Sequence, residues 1–116
     1  MKPIKRENRR HKRKASSFPI QYRDIRKRGS LASGSVTGNI SEGGVYFKSS
    51  EFIPLTGRLA LEISLPTLSR PVKAISKVAW IRKILSAGQY ELGSQFLEMT
   101  KEDKLAVSDF VMSDIA

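Results

Sequence analysis

Two short clusters hold the side chains best suited to chemistry in this sequence. Residues 9–13 read Arg-Arg-His-Lys-Arg, so that Arg9 and Arg13 have the spacing Arg-x-x-x-Arg. Residues 39–44, about 25 positions further on, read Asn-Ile-Ser-Glu-Gly-Gly and form the pattern Asn-x-Ser-x-x-Gly. Arginine offers several donors in one plane to an anion, and Asn and Ser side chains both donate and accept. Either cluster alone is common in tails and turns, but the two in this order are more restrictive.

Catalytic and metal-binding constellations are missing from the sequence. There is no cysteine, which excludes disulfides, a cysteine nucleophile and a thiolate metal site. The single histidine, His11, lies among cations with no neighbouring carboxylate to orient it. The glycine-rich stretch 34–44 lacks the Gly-Lys-Ser/Thr of a phosphate loop. We therefore predict a binding module that is not an enzyme and has no metal or cofactor.

The positive charge is concentrated at one end of the chain. Residues 1–28 contain twelve Lys and Arg but only two carboxylates, which accounts for the whole net charge of +10. Residues 29–116 contain nine of each sign. This distribution is typical of a chain whose end contacts a polyanion, and nucleic acid, an anionic membrane face or a charged small ligand all fit it.

Residues 1–14 contain almost no apolar side chains besides Met1 and Ile4, so we predict a flexible basic contact arm over 1–14. No apolar segment follows the basic N-terminus as in a signal peptide. The longest later apolar stretch, 59–65, is interrupted by Glu62. These features predict no signal peptide and no membrane span, and with the absence of cysteine they favour the cytoplasm.

Alternating apolar residues predict the elements that must position the two clusters. The clearest strand is 59–65, where Leu, Leu, Ile and Leu alternate with other residues; the pattern also predicts strands at 18–22, within 31–40, at 45–47, and over 72–84 and 90–97. In 72–84 the alternation places Trp80 on the core face with Val78, which favours core packing over the alternative of stacking on a ligand. Gly93, within 90–97, indicates a bulge or a close backbone approach.

The last segment changes to helical periodicity. Thr100 and Asp103 match a capping box, and Val107, Phe110, Val111 and Ile115 form an apolar stripe, so the sequence predicts a helix over 100–115. Six short strands and one terminal helix indicate a mainly β domain over 15–116, a small antiparallel barrel or folded sheet with the helix packed on one side.

In these motifs and their order the sequence resembles the PilZ domain, the bacterial receptor module for cyclic di-GMP. The resemblance covers nearly the whole chain, including the stretches GGVYF, LALEISL, KVAWIRKI and YELGSQF. It implies a six-stranded antiparallel β-barrel with the Arg-x-x-x-Arg segment before the first strand and the Asn-x-Ser-x-x-Gly turn across from it. The implied ligand-binding residues are Arg9, Arg13, Asn39, Ser41 and Gly44, with Gly43 beside them and Arg10 able to share or replace the role of Arg9.

The chemistry of these residues suits the implied ligand. Cyclic di-GMP carries two phosphodiesters and two guanines, and arginine can bind phosphate, pair with guanine O6 and N7, and stack on a base. Asn39 and Ser41 supply donors and acceptors for guanine edges, or they merely close their own turn. Gly43 and Gly44 are expected to take positive φ and admit the ligand.

Three hypotheses follow for function. In the first, the arm orders over cyclic di-GMP and the altered surface signals to a downstream protein partner. The alternatives are a nucleic-acid-binding barrel, disfavoured by the lack of aromatics interleaved with cations, and a PilZ-like protein-interaction module that binds no nucleotide. Membrane association through the arm is disfavoured because the arm has no apolar face.

Overall fold

The computed structural model describes residues 17–29, 31–85 and 88–113, and the backbone of 13–15. The elements are β1 (Arg13–Ala15), β2 (Pro19–Asp24), β3 (Ser33–Ser41), β4 (Gly44–Ser49), β5 (Arg58–Ile63), β6 (Val72–Ile84), β7 (Gln89–Met99) and α1 (Lys101–Met112). The alternation in the sequence located each long strand, and the extent predicted for β6 agrees with the structure.

The strands form one antiparallel sheet that closes on itself. Their order is β1-β3-β2-β5-β6-β7-β4, and β4 pairs back with β3 to complete the circle. Strands β1 and β2 lie one after the other along the same edge of β3: β1 pairs with 39–41 and β2 with 33–36. The barrel therefore has six strand positions, one of which is shared by β1 and β2 in succession. This confirms the predicted mainly β, six-stranded barrel with a C-terminal helix.

The inward-facing apolar residues of the alternating strands fill the interior of the barrel. Leu59, Leu61, Ile63 and Leu65 are all buried, as their spacing predicted. The helix closes the core with Val107, Phe110 and Val111, and the Phe110 ring meets Phe18 edge to face at a centroid distance of 5.4 Å. Burial of this apolar surface is the main source of the barrel's stability.

The start of α1 is anchored through Asp103. The hydroxyl of Thr100 caps the helix by accepting the Asp103 N–H at 3.1 Å. The Asp103 carboxylate accepts the Lys73 N–H at 3.0 Å and an Arg70 Nη1 donor at 2.7 Å. Burial raises the pKa of this carboxyl, but these two partners lower it by more, so the pKa of Asp103 lies below its ordinary value. The contact ties the helix to the beginning of β6.

The helix ends at Met112 instead of reaching 115, and Ile115 lies outside the described residues. Ser113 is extended, and its N–H and hydroxyl both donate to the Phe110 carbonyl, which stops the helical ladder. In the part of the chain that the structure describes, no helix is long and apolar enough to span a membrane.

Candidate ligand-binding surface

Arg13, the last residue of the first polar cluster, lies beside the second cluster through the pairing of β1 with β3. Arg13 is the Cα partner of Ser41, and Ala15 is the partner of Asn39. Arg13 of the first motif and Ser41 of the second, which are far apart in the sequence, therefore lie on adjacent strands. Arg9 and Arg10 lie outside the described residues.

Ser41 shapes the turn between β3 and β4. Its buried hydroxyl accepts the Gly43 N–H at 3.1 Å and donates to the Gly44 carbonyl at 3.5 Å. This is a Ser turn of the kind that closes its own backbone. Contact between Ser41 and a ligand stays a prediction.

The glycines of this turn accommodate β7. A Cβ on Gly44 would lie 2.1 Å from the Ser94 carbonyl oxygen, and the Gly43 carbonyl accepts the Phe96 N–H at 2.9 Å. The expected positive φ at Gly43 and Gly44 is wrong, because in the described residues only Gly29, Gly88 and Thr56 have positive φ. Close packing of two strands explains Gly44 without any ligand.

Asn39 lies on the outer surface of the barrel beside an aromatic ring. A bulge between Thr37 and Asn39 shifts the alternation, so Thr37 and Ile40 are both buried while Asn39 stays partly exposed. Asn39 pairs directly with Tyr46 of β4, and residues paired in this way share a face. The Tyr46 ring lies over Gly38, where a Cβ would be 2.1 Å from the Tyr46 Cε2.

Trp80 also lies outside, and its predicted place in the core is wrong. The β6–β7 register shifts between Val78 and Trp80, so the extra residue turns Trp80 outward, where it is 40% exposed, and Ile81 packs against the core. The Trp80 ring covers Gly93, on which a Cβ would be 2.3 Å from Trp80 Nε1. Of the two alternatives predicted from Gly93, the bulge is confirmed, in the partner strand β6. The group that approaches Gly93 is the indole side chain and not a backbone segment.

A charged network joins the two rings. Tyr46 and Trp80 are stacked with centroids 5.8 Å apart and planes 21° apart, and the Arg82 guanidinium lies 5.9 Å from the Trp80 centroid. Glu91 accepts the Tyr46 hydroxyl at 2.7 Å and Arg82 Nε at 3.0 Å. We call Tyr46, Trp80, Arg82 and Glu91 the aromatic surface. Sequence reasoning missed it, because only the bulge brings Trp80 next to Tyr46.

Ionisation of the aromatic surface is set by these contacts. The hydrogen bond to Glu91 raises the pKa of Tyr46 and also that of Arg82. The same bonds, from Tyr46 first and then from Arg82, lower the pKa of Glu91. At neutral pH the surface therefore presents a neutral phenol, a carboxylate and a guanidinium beside an exposed indole. Planar rings next to cations suit a ligand that combines aromatic and anionic groups.

The fold is a closed six-stranded antiparallel barrel with a terminal helix. The family model for the PilZ domain matches residues 7–113. The chain therefore belongs to the PilZ domain family. No curated protein matches the sequence.

Solved structures share the fold at low identity. The inhibitor of motility MotI/DgrA of Bacillus subtilis has a TM-score of 0.74 at 16% identity over 91% of this chain, which spans 50% of that protein. The PilZ domain of Escherichia coli YcgR with c-di-GMP has a TM-score of 0.69 at 14% identity, covering 92% of this chain and 91% of that one. The K. pneumonia MrkH–c-di-GMP complex has a TM-score of 0.70 at 13% identity, covering 91% and 52%.

Proposed function

We propose that the protein is a receptor for cyclic di-GMP that binds the dinucleotide on the outer surface where β1, β3 and β4 meet. The observation that carries the proposal is the register of β1 on β3, with Arg13 opposite Ser41 and Ala15 opposite Asn39. Membership of the PilZ family and the likeness to YcgR and MrkH, both solved with c-di-GMP, support the choice of ligand.

In this proposal each group has a distinct role. Arg13, with Arg9 and Arg10, binds phosphate oxygens and guanine edges through its several donors. Asn39 supplies a mixed donor and acceptor edge from the outer face of β3. Ser41, Gly43 and Gly44 hold the shape of the turn that joins β3 to β4.

The aromatic surface extends this site across β4, β7 and β6. Tyr46 pairs with Asn39 on one side and stacks on Trp80 on the other. One face of each ring rests on a glycine, so the rings lie flat against the barrel. A flat ring next to a guanidinium is a surface on which a nucleobase stacks. We propose that it borders the nucleotide.

The binding signal has two proposed routes to a protein partner. The first is ordering of the basic N-terminal arm over the ligand, proposed from its composition; residues 1–12 lie outside the described part of the chain. The second starts in the turn itself, where Glu42 Oε2 accepts the Ser108 hydroxyl of α1 at 2.6 Å. A ligand that moves the turn therefore also acts on the helix.

Calorimetric titration with cyclic di-GMP tests the proposal. We expect Arg13→Ala to weaken binding by about tenfold to a hundredfold, the effect of losing one or two charge-assisted hydrogen bonds, and Asn39→Ala to weaken it by less. Arg28→Ala is the matched control. Arg28 is an exposed arginine of the same basic segment, residues 1–28, and it lies at the end of the barrel away from the β3–β4 turn. If Arg13→Ala and Asn39→Ala bind like the parent, the site is wrong.

Nucleic-acid binding is the second candidate, and the observation that favours it is the charge of residues 1–28. A filter-binding series across salt separates the two functions. Binding that falls steeply with salt and ignores sequence indicates nucleic acid, whereas guanine-selective binding indicates the receptor. Failure to bind either ligand favours a PilZ-like module that acts through protein contacts alone.

A further inference from the structure

Exposed apolar side chains concentrate at one end of the barrel. Because successive strands run in opposite directions, the β2–β3, β4–β5 and β6–β7 connections all emerge there. We call their described residues the loop end: 25–29, 31–32, 50–57, 85 and 88. Two contacts hold the connections together: Lys27 pairs with Glu51 at 3.0 Å, and the Phe52 ring meets Tyr90 at 5.7 Å.

The loop end holds half of the exposed large apolar residues found in the described chain. Leu31 is 87% exposed and Leu85 is 90% exposed, and they are the two most exposed of the ten. Leu55 is 57% exposed, and Ile25 and Phe52 complete the group. The described connections at the other end, 42–43 and 64–71, contribute none of these ten residues. Exposed apolar side chains that share one end of the barrel can contact the same partner surface.

Cations accompany the apolar residues. Arg26, Lys27 and Arg28 are exposed in the first connection. Lys27 pairs with Glu51, the one carboxylate of the loop end, and Arg26 pairs at 3.4 Å with the buried Asp24 directly before it. Lys83 is exposed on β6 just before Leu85. Protruding apolar residues ringed by Lys and Arg are the combination that holds a protein on an anionic lipid surface.

We propose that the loop end docks onto an anionic bilayer. Leu31, Leu55 and Leu85 enter the boundary between headgroups and acyl chains, and Arg28 and Lys83 meet the lipid phosphates. Nucleic acid would use the cations but would give the leucines nothing to bury against, which is why the observations favour lipid. The β3–β4 turn lies at the opposite end of the barrel, so this proposal does not depend on the nucleotide site.

Site-specific labelling tests insertion directly. The chain has no cysteine, so Leu85→Cys creates a single attachment point for an environment-sensitive fluorophore. Leu105→Cys is the matched control, because Leu105 is 60% exposed on α1, away from the loop end. With phosphatidylcholine–phosphatidylglycerol vesicles we expect a blue shift for the label at 85 and none at 105. Vesicles of phosphatidylcholine alone should give no blue shift at either position. Equal responses at both positions, or none at 85 with the anionic vesicles, would overturn the proposal.

Vesicle flotation separates lipid insertion from attraction of the basic N-terminal arm. Leu55→Ser and Leu85→Ser should each lower the partition coefficient by about threefold to tenfold, the effect of losing a partly buried leucine, whereas Leu105→Ser should leave it unchanged. The difference in partition coefficient between the loop-end variants and Leu105→Ser should persist in high salt, because screening weakens only the electrostatic contribution to vesicle binding. If both loop-end variants float like Leu105→Ser, the cations alone cause the attraction, and a polyanion such as nucleic acid becomes the partner of this end.

Discussion

Replacing Gly44 with alanine tests why the β3–β4 turn ends in glycine. The new Cβ would lie 2.1 Å from the Ser94 carbonyl oxygen, whereas an ordinary contact begins at 3.4 Å. Strand β7 must therefore move by about 1.3 Å relative to β4, the difference between these two distances. The obstructing atom belongs to the backbone, so no side-chain rotation relieves the clash.

The expected loss of stability follows from this displacement. Overpacking costs about 1–3 kcal/mol, and breaking one or two ladder hydrogen bonds costs about 0.5–1.5 kcal/mol each. We expect Gly44→Ala to lower the free energy of unfolding by about 2–4 kcal/mol, a large share of the roughly 5–15 kcal/mol typical of a domain. Urea denaturation followed by far-UV circular dichroism measures this change.

Gly34→Ala provides the control. Gly34 lies in β3 with ordinary φ and nothing within 4 Å of an added Cβ, so this variant should be neutral or more stable by about 0.5–1 kcal/mol. Equal unfolding midpoints for the two variants would refute the packing argument. A Gly44→Ala protein with parental stability that no longer bound cyclic di-GMP would instead show that the glycine admits the ligand.

Three further predictions concern the rings, the helix anchor and the turn. Gly93→Ala should displace the Trp80 ring and shift the fluorescence emission of this single tryptophan to longer wavelength. It should destabilise the protein less than Gly44→Ala, because the Trp80 side chain can rotate away from the new Cβ. Unchanged emission would contradict the packing of Trp80 on Gly93. Asp103→Asn should cost about 1–3 kcal/mol at neutral pH. Because the pKa of Asp103 is lowered in the folded state, its contribution to the free energy of unfolding is complete above its unfolded pKa of about 3.9. That contribution is lost as the pH falls through the folded pKa, so acid denaturation curves should show the stabilities of parent and variant converging. Ser108→Ala should leave cyclic di-GMP affinity within about threefold, the effect of one hydrogen bond, but reduce the ligand-induced change in hydrogen exchange of α1 if the Glu42 contact carries the signal.

Local patterns were sufficient for the architecture. The alternation at 59–65 predicted a half-buried strand, and all four of its apolar residues are buried. Thr100 and Asp103 predicted the helix start, because capping depends on residues only three apart. The order of these elements, with the two polar motifs, was sufficient to indicate the PilZ family, because both are properties of the sequence alone.

The composition of the aromatic surface depended on how the strands pair. Two of the bulges, at Gly38 in β3 and after Val78 in β6, each add one residue to a strand, and the side chains beyond that point change face. Alternation alone therefore put Trp80 in the core, whereas the shifted register stacks it on Tyr46.

The sequence by itself determined that this chain is a PilZ-type barrel with a basic end and an Asn-x-Ser-x-x-Gly turn. Only the tertiary structure decided that Gly44 accommodates β7, that Trp80 stacks on Tyr46 and that the loop end contains exposed leucines. The physical reason is that propensity and periodicity act between near neighbours, while strand register and close backbone approach arise between residues distant in the chain.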